Sequence, residues 1–233
     1  MFGTTYTGGM SYRSASEINS AMGRVYGYMG LAVLVSMFIS YQVGTNHDLL
    51  QFFFTGAMKW IVLFAPLVYV FFVPILLNAG IGAMGGALVL SSFAALMGLS
   101  FAMIFAIYTM GSVVTAFMGA AILFGVLSVY GYFTKQNLDS IGKFMFIGLI
   151  AIIIASIINI FIGSTVFQTV ISALAIIIFL GLTAYDTQTI RESLMEDSAP
   201  STEIMGAMTL YLDFINIFIN LLQLIGVMPG KDD

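Results

Sequence analysis

Apolar positions run in seven long blocks separated by short polar segments: Tyr26 to Val43, Trp60 to Leu77, Ala83 to Tyr108, Val113 to Phe133, Phe144 to Ile162, Val166 to Gln188 and Met205 to Val227. Each block is close to the roughly 20 apolar residues that a helix needs to cross the hydrocarbon of a bilayer. The runs are continuous rather than alternating, which excludes the in/out pattern of a membrane β-barrel wall. The pattern predicts an all-α polytopic membrane protein, a bundle of seven transmembrane helices over residues 22–233. Residues 1–21 are rich in Gly, Ser, Thr and Tyr and lack the apolar core and cleavage site of a secretory signal. They are expected to form a cytoplasmic tail. Thr109-Met110-Gly111-Ser112 leaves room only for a tight turn between the third and fourth blocks. Pro66 and Pro74 predict a bend in the second. Gly23/Gly27 and Gly82/Gly86 have the small-xxx-small spacing that lets helix backbones approach.

Composition agrees with the pattern and removes other classes. Of 233 residues, 60% are hydrophobic and 8% charged, against about 25% charged in a soluble domain. Too few charges exist to cover a water-facing shell. The chain has no cysteine, which excludes disulfides, thiolate metal sites and cysteine nucleophiles. A net charge of −4 without a basic patch gives no surface for nucleic acid. Basic residues in short loops stay on the cytoplasmic side. An inner N-terminus places Arg13, Arg24, Lys135, Lys143 and Arg191 inside, against Lys59 and Lys231 outside. Seven crossings then put the C-terminus outside. Trp60 and the Tyr residues near block ends fit interfacial anchoring, and His47, the single histidine, fits a solvated outer loop.

Two carboxylates lie well inside apolar blocks: Asp186, in Gly181-Leu-Thr-Ala-Tyr-Asp-Thr-Gln-Thr-Ile190, and Asp213, in Thr209-Leu-Tyr-Leu-Asp-Phe-Ile-Asn216. Charge there is costly, by about 2.5–3.5 kcal/mol on insertion scales, and marks function by default. Asp186 rises about 7.5 Å from Arg191 and Asp213 about 15 Å from Glu203, depths that helix tilt reconciles, so the two side chains are expected to meet. In the last block Thr209, Asp213, Asn216, Asn220 and Gln223 fall within an arc of about 80°. A polar stripe of that length predicts a helix at the bundle centre, its stripe lining a polar cavity or pairing with neighbours. Ser156, Asn159, Thr183 and Thr187 are candidate partners. Two carboxyl groups sharing such a site would hold one proton between them and titrate as a unit. Loss of that proton would push the helices apart or recruit a cation, and hard oxygen ligands suit calcium, with Asp186 and Asp213 as transient contacts. No P-loop, His-Glu-x-x-His or paired-cysteine motif is present, and no cofactor is expected.

Thr183-Ala-Tyr-Asp-Thr-Gln188 followed by Leu210-Tyr-Leu-Asp-Phe-Ile-Asn216 resembles the two C-terminal signatures of the Bax inhibitor-1 family. Trp60 to Phe72 and Tyr130-Gly-Tyr-Phe-Thr-Lys135 resemble its bacterial branch. The resemblance implies a seventh helix enclosed by the other six, and a pH-sensing pair at Asp186 and Asp213. It also implies a proton-sensitive calcium leak across a bacterial inner membrane, and for some bacterial relatives a link to a membrane-bound quality-control protease. Certain members carry an Arg in the second helix that pairs with the aspartates; here that block offers only Lys59, at its outer start.

These features bear on three functions. In a proton-gated calcium leak, Asp186 and Asp213 are sensor and gate, and Thr183, Thr209, Asn216, Asn220 and Gln223 line the path. A non-conducting membrane regulator acting on a membrane protease or stress pathway is the alternative. An intramembrane aspartyl protease is disfavoured, because Tyr185-Asp186 resembles its first motif but Leu210-Tyr-Leu-Asp213 stands where Gly-x-Gly-Asp is needed. The chain is therefore not expected to be an enzyme.

Overall fold

A computed structural model describes residues 14–197 and 199–226; Arg13, Lys231 and Val227, used in the readings above, lie outside them. Nine helices form among the described residues: α1 (Ala15–Gly44), α2 (His47–Phe54), α3 (Met58–Asn78), α4 (Gly82–Ser100), α5 (Met103–Ile107), α6 (Met110–Phe133), α7 (Asp139–Ile162), α8 (Thr165–Glu196) and α9 (Pro200–Ile225). With α4 and α5 forming one span, seven are long and apolar enough to cross a membrane, matching the seven blocks.

The differences lie at the ends. Residues 15–21 form the first two turns of α1 instead of tail. A capping box starts the helix there: Ser14 Oγ accepts from the Glu17 N–H at 3.3 Å and Glu17 Oε2 accepts from the Ser14 N–H at 2.7 Å. Ile18 and Ala21 are already buried. Helix α2, in the loop that holds His47, is capped by Asn46 Oδ1 and buries no residue. The tight turn before α6 is present, with Thr109 Oγ1 capping the Ser112 N–H at 3.2 Å. Between α7 and α8 the chain reverses through Gly163, at φ 67°, a left-handed C-cap that glycine adopts without strain.

Helix α3 runs unbroken through Pro66 and Pro74. Pro66 has no N–H for the carbonyl of Val62, one turn back, and in lipid that oxygen needs another donor. Ser100 Oγ, from α4, supplies it at 2.6 Å. The glycines expected at close helix contacts are corrected: Gly23, Gly27 and Gly82 face open space, and Gly86 alone meets a neighbour, the Ile204 side chain. Close backbone approach occurs at Gly98, against Ser36, and at Gly131, against Ala184.

Helix α9 is the most buried span and packs against α1, α4, α6 and α8. Its apolar face carries Phe214 and Phe218, set edge-on to Phe117 and Phe124 of α6. The central position of the last helix therefore stands, but its enclosure is incomplete. Helix α7 packs closely on α8 alone and is the least buried span, leaving a gap between α7 and α9.

Candidate functional site

Helices α8 and α9 form an antiparallel hairpin that sets the depth of both aspartates. Asp197 Oδ1 accepts the Ala199 N–H at 2.9 Å, its other oxygen accepts the Thr202 hydroxyl, and Pro200 opens α9 at a first-turn position where its missing N–H costs nothing. Asp186 lies ten residues before the end of α8 and Asp213 thirteen after the start of α9, rises of about 15 and 20 Å. The side chains meet: the two carboxyl groups are neighbours on the wall of one cavity. A carboxylate only accepts, so these neighbours can hydrogen-bond to each other only when one of them carries a proton. Asp213 is 4% exposed, and its Oδ2 receives no hydrogen bond from any amide, hydroxyl or amine.

Both carboxyls line a cavity of about 1190 Å³ in the gap between α7, α8 and α9. Its α9 wall carries the polar stripe, with Thr209, Asp213, Asn216, Asn220 and Gln223 all facing it beside Leu212 and Ile219. The amides of Asn216 and Asn220 donate back to the carbonyls of Leu212 and Asn216, each at 2.8 Å, leaving their Oδ1 atoms as acceptors. Ser156 of α7 lines the cavity as well. Among the described residues no three His, Cys, Asp or Glu side chains cluster as a metal site. The oxygen donors on the cavity wall are the two carboxyls and a ladder of neutral groups.

Thr183 and Thr187 do not join this wall. Thr183 is fully buried and its Oγ1 donates to the Phe179 carbonyl at 2.7 Å. Thr187 Oγ1 bonds to Ser128 Oγ at 3.0 Å, which bonds in turn to Tyr26 OH at 2.6 Å. One residue turns a helix by about 100°, so Thr187 points to α6 while its neighbour Asp186 points to the cavity. Asn159 finds its partner at Gln168. Lys59 sits over the Trp60 ring at 5.2 Å, outside the cavity wall. Sequence reasoning missed Gln168 and Ser172, an i, i+4 polar pair on α8 that faces Gln223. It also missed the ion pair of Arg24 with Glu203; the signal for both was a polar residue in an apolar helix without an assigned partner.

Seven apolar helices long enough to span a bilayer, with a carboxyl pair facing a cavity between α7, α8 and α9, define a polytopic membrane protein. The family model described as "Inhibitor of apoptosis-promoting Bax1" matches residues 18–230. The chain is 33% identical over 219 residues to "Inner membrane protein YbhL" of Escherichia coli K12, covering 90% of this chain and 92% of that protein. It is 34% identical over 225 residues to "Uncharacterized protein YrjE" of Lactococcus lactis, covering 93% and 94%. It is also 34% identical over 215 residues to "Uncharacterized protein RP147" of Rickettsia prowazekii, covering 88% of each. The chain belongs to the Bax inhibitor-1 family.

Proposed function

We propose that this protein is a proton-gated calcium leak of the Bax inhibitor-1 type, set in a bacterial inner membrane with its N-terminus in the cytoplasm. The observation that carries the reading is the juxtaposition of Asp186 and Asp213 on the wall of a cavity that also takes in the polar stripe of α9. With one proton between them the carboxyls tie α8 to α9. Once that proton leaves, two like charges share one desolvated site, and the helices separate or a cation enters. Calcium takes oxygen ligands in variable number, and Thr209, Asn216 and Asn220 continue the oxygen ladder beyond the pair. Two carboxylates and neutral oxygens give the modest affinity that a passing ion needs. No covalent step and no resident cofactor enter this reading. The inner-membrane placement rests on the E. coli relative, and the orientation on the basic residues of the loops.

The test is calcium entry into indicator-loaded liposomes across a pH series. Flux should rise as pH rises, and Asp186→Asn or Asp213→Asn should remove the pH dependence. Absence of flux at every pH would overturn the reading. Recovery of a stoichiometric membrane-protease partner in that case would favour the regulatory alternative.

A further inference from the structure

At the end of the cavity away from the aspartates, a chain of amides crosses from one helix to the next. Gln223 Oε1, on α9, accepts from Gln168 Nε2 at 2.9 Å and from Ser172 Oγ at 2.7 Å, both on α8. Gln168 Oε1 accepts from Asn159 Nδ2, on α7, at 3.0 Å. Asn159 Oδ1 accepts from the Ser164 N–H, in the turn between α7 and α8, at 3.2 Å. Asn159 and Ser172 are buried, whereas Gln168 and Gln223 line the cavity.

This network reaches from α9 through α8 to α7, the least buried span. Helix α7 packs closely on α8 alone, so at this end α7 and α9 are linked through amide hydrogen bonds across the gap. Unpaired amides are costly in a membrane, which favours the joined state. Individual hydrogen bonds between membrane helices are nevertheless weak enough to break and re-form. Gln223 is exposed and, with Gln168, borders the cavity, so the hydrogen-bonded head groups sit at the cavity's end.

We propose that Gln168, Ser172 and Gln223 form a second closure of this cavity, a neutral amide gate in series with the carboxyl pair, which controls entry of water and cations from the α7–α8 turn. The proposal rests on the reading of the cavity as a conduit. None of the three side chains titrates, so this gate sets how much passes and leaves the pH response to the aspartates.

The chain has no cysteine, so a single Ser156→Cys places one thiol on the cavity wall, about one helical turn inside the cluster. A membrane-impermeant methanethiosulfonate is applied in turn to intact cells and to inverted membrane vesicles. From the side of the α7–α8 turn, labelling should be slow, and about tenfold faster in Gln223→Ala or Gln168→Leu, in proportion to the open fraction. Ser172→Ala removes one of the two donors to Gln223, perturbs folding least, and should fall between. In liposomes Gln223→Ala should raise calcium flux at every pH without moving its midpoint. Labelling as fast with the cluster intact as with it broken overturns the gate, whatever the flux does. Labelling that responds to the cluster while no variant passes calcium supports the gate and overturns the calcium reading.

Discussion

Arg24 and Glu203, the one from the first span and the other from the last, are joined by a two-pronged ion pair. Arg24 Nε donates to Glu203 Oε2 at 2.7 Å and Nη2 to Oε1 at 2.5 Å. Glu203 is 5% exposed, while the Arg24 side chain is about half exposed, so the carboxylate bears most of the desolvation. The pair sits near the start of α9 and fixes that helix against α1. This is the same end as the α8–α9 turn, from which the depth of Asp213 is set.

Removing the cation alone should therefore hurt more than removing both charges. Arg24→Ala leaves the Glu203 carboxylate buried without its guanidinium, a loss of about 1–3 kcal/mol. Arg24→Met combined with Glu203→Gln should recover most of it, because a buried pair can be replaced by neutral groups at little cost. A double-mutant cycle on thermal unfolding in detergent checks this, and equal, additive losses from the two single variants would contradict it.

Helix contacts give a second expectation. A Cβ on Gly131 would strike the backbone of Ala184, whereas one on Gly125, on the same helix, meets nothing within 4 Å. Gly131→Val should destabilise by about 1–3 kcal/mol or abolish folding through overpacking between α6 and α8. Gly125→Ala should be neutral or stabilising, by up to about 1 kcal/mol, from helix propensity. Thermal stability of the two variants in one detergent decides the matter.

The glycines also show where the sequence stops being informative. The seven spans are legible because lipid demands an apolar run of a set length, and the stripe from Thr209 to Gln223 is legible because one helix's own periodicity carries it. Which glycine meets another backbone depends on the register between helices, so the spacing of Gly23 and Gly27 said nothing about Gly131. Arg24 reads in the sequence only as an inner charge, since its partner lies 179 residues away. Thr187, beside Asp186 in sequence, faces Ser128 because adjacent helical residues point in different directions. The short α2 fell below the length at which apolar periodicity declares a helix.

The neutral oxygens on the α9 wall should matter to conduction more than to folding. Asn216 and Asn220 use their N–H groups on carbonyls of their own helix, so neither amide ties α9 to a neighbour. Asn220→Leu should leave thermal stability within about 0.5 kcal/mol, as for substitutions without a structural partner. It should lower calcium flux by about fivefold, the equivalent of one lost contact worth about 1 kcal/mol. A drop in stability as large as that of Arg24→Ala would instead make the residue a structural one.

The carboxyl pair makes a prediction that needs no calcium. Two neighbouring carboxyl groups hydrogen-bond to each other only while one of them holds a proton, and Asp213 Oδ2 is buried with no other donor to satisfy it. Infrared difference spectra across a pH titration should show a protonated-carboxyl carbonyl band that disappears as pH rises, with the loss of one proton per chain. The sign follows from that requirement: a shared proton can tie α8 to α9 on the acid side and is lost on the alkaline side, so the helices should separate as pH increases. Asp213→Asn leaves a single carboxyl with no second carboxyl to share its proton. Distances between spin labels on α8 and α9 should then stop responding across the wild-type transition. A band unchanged in both Asp186→Asn and Asp213→Asn would place the proton elsewhere and remove the pair from the gating mechanism.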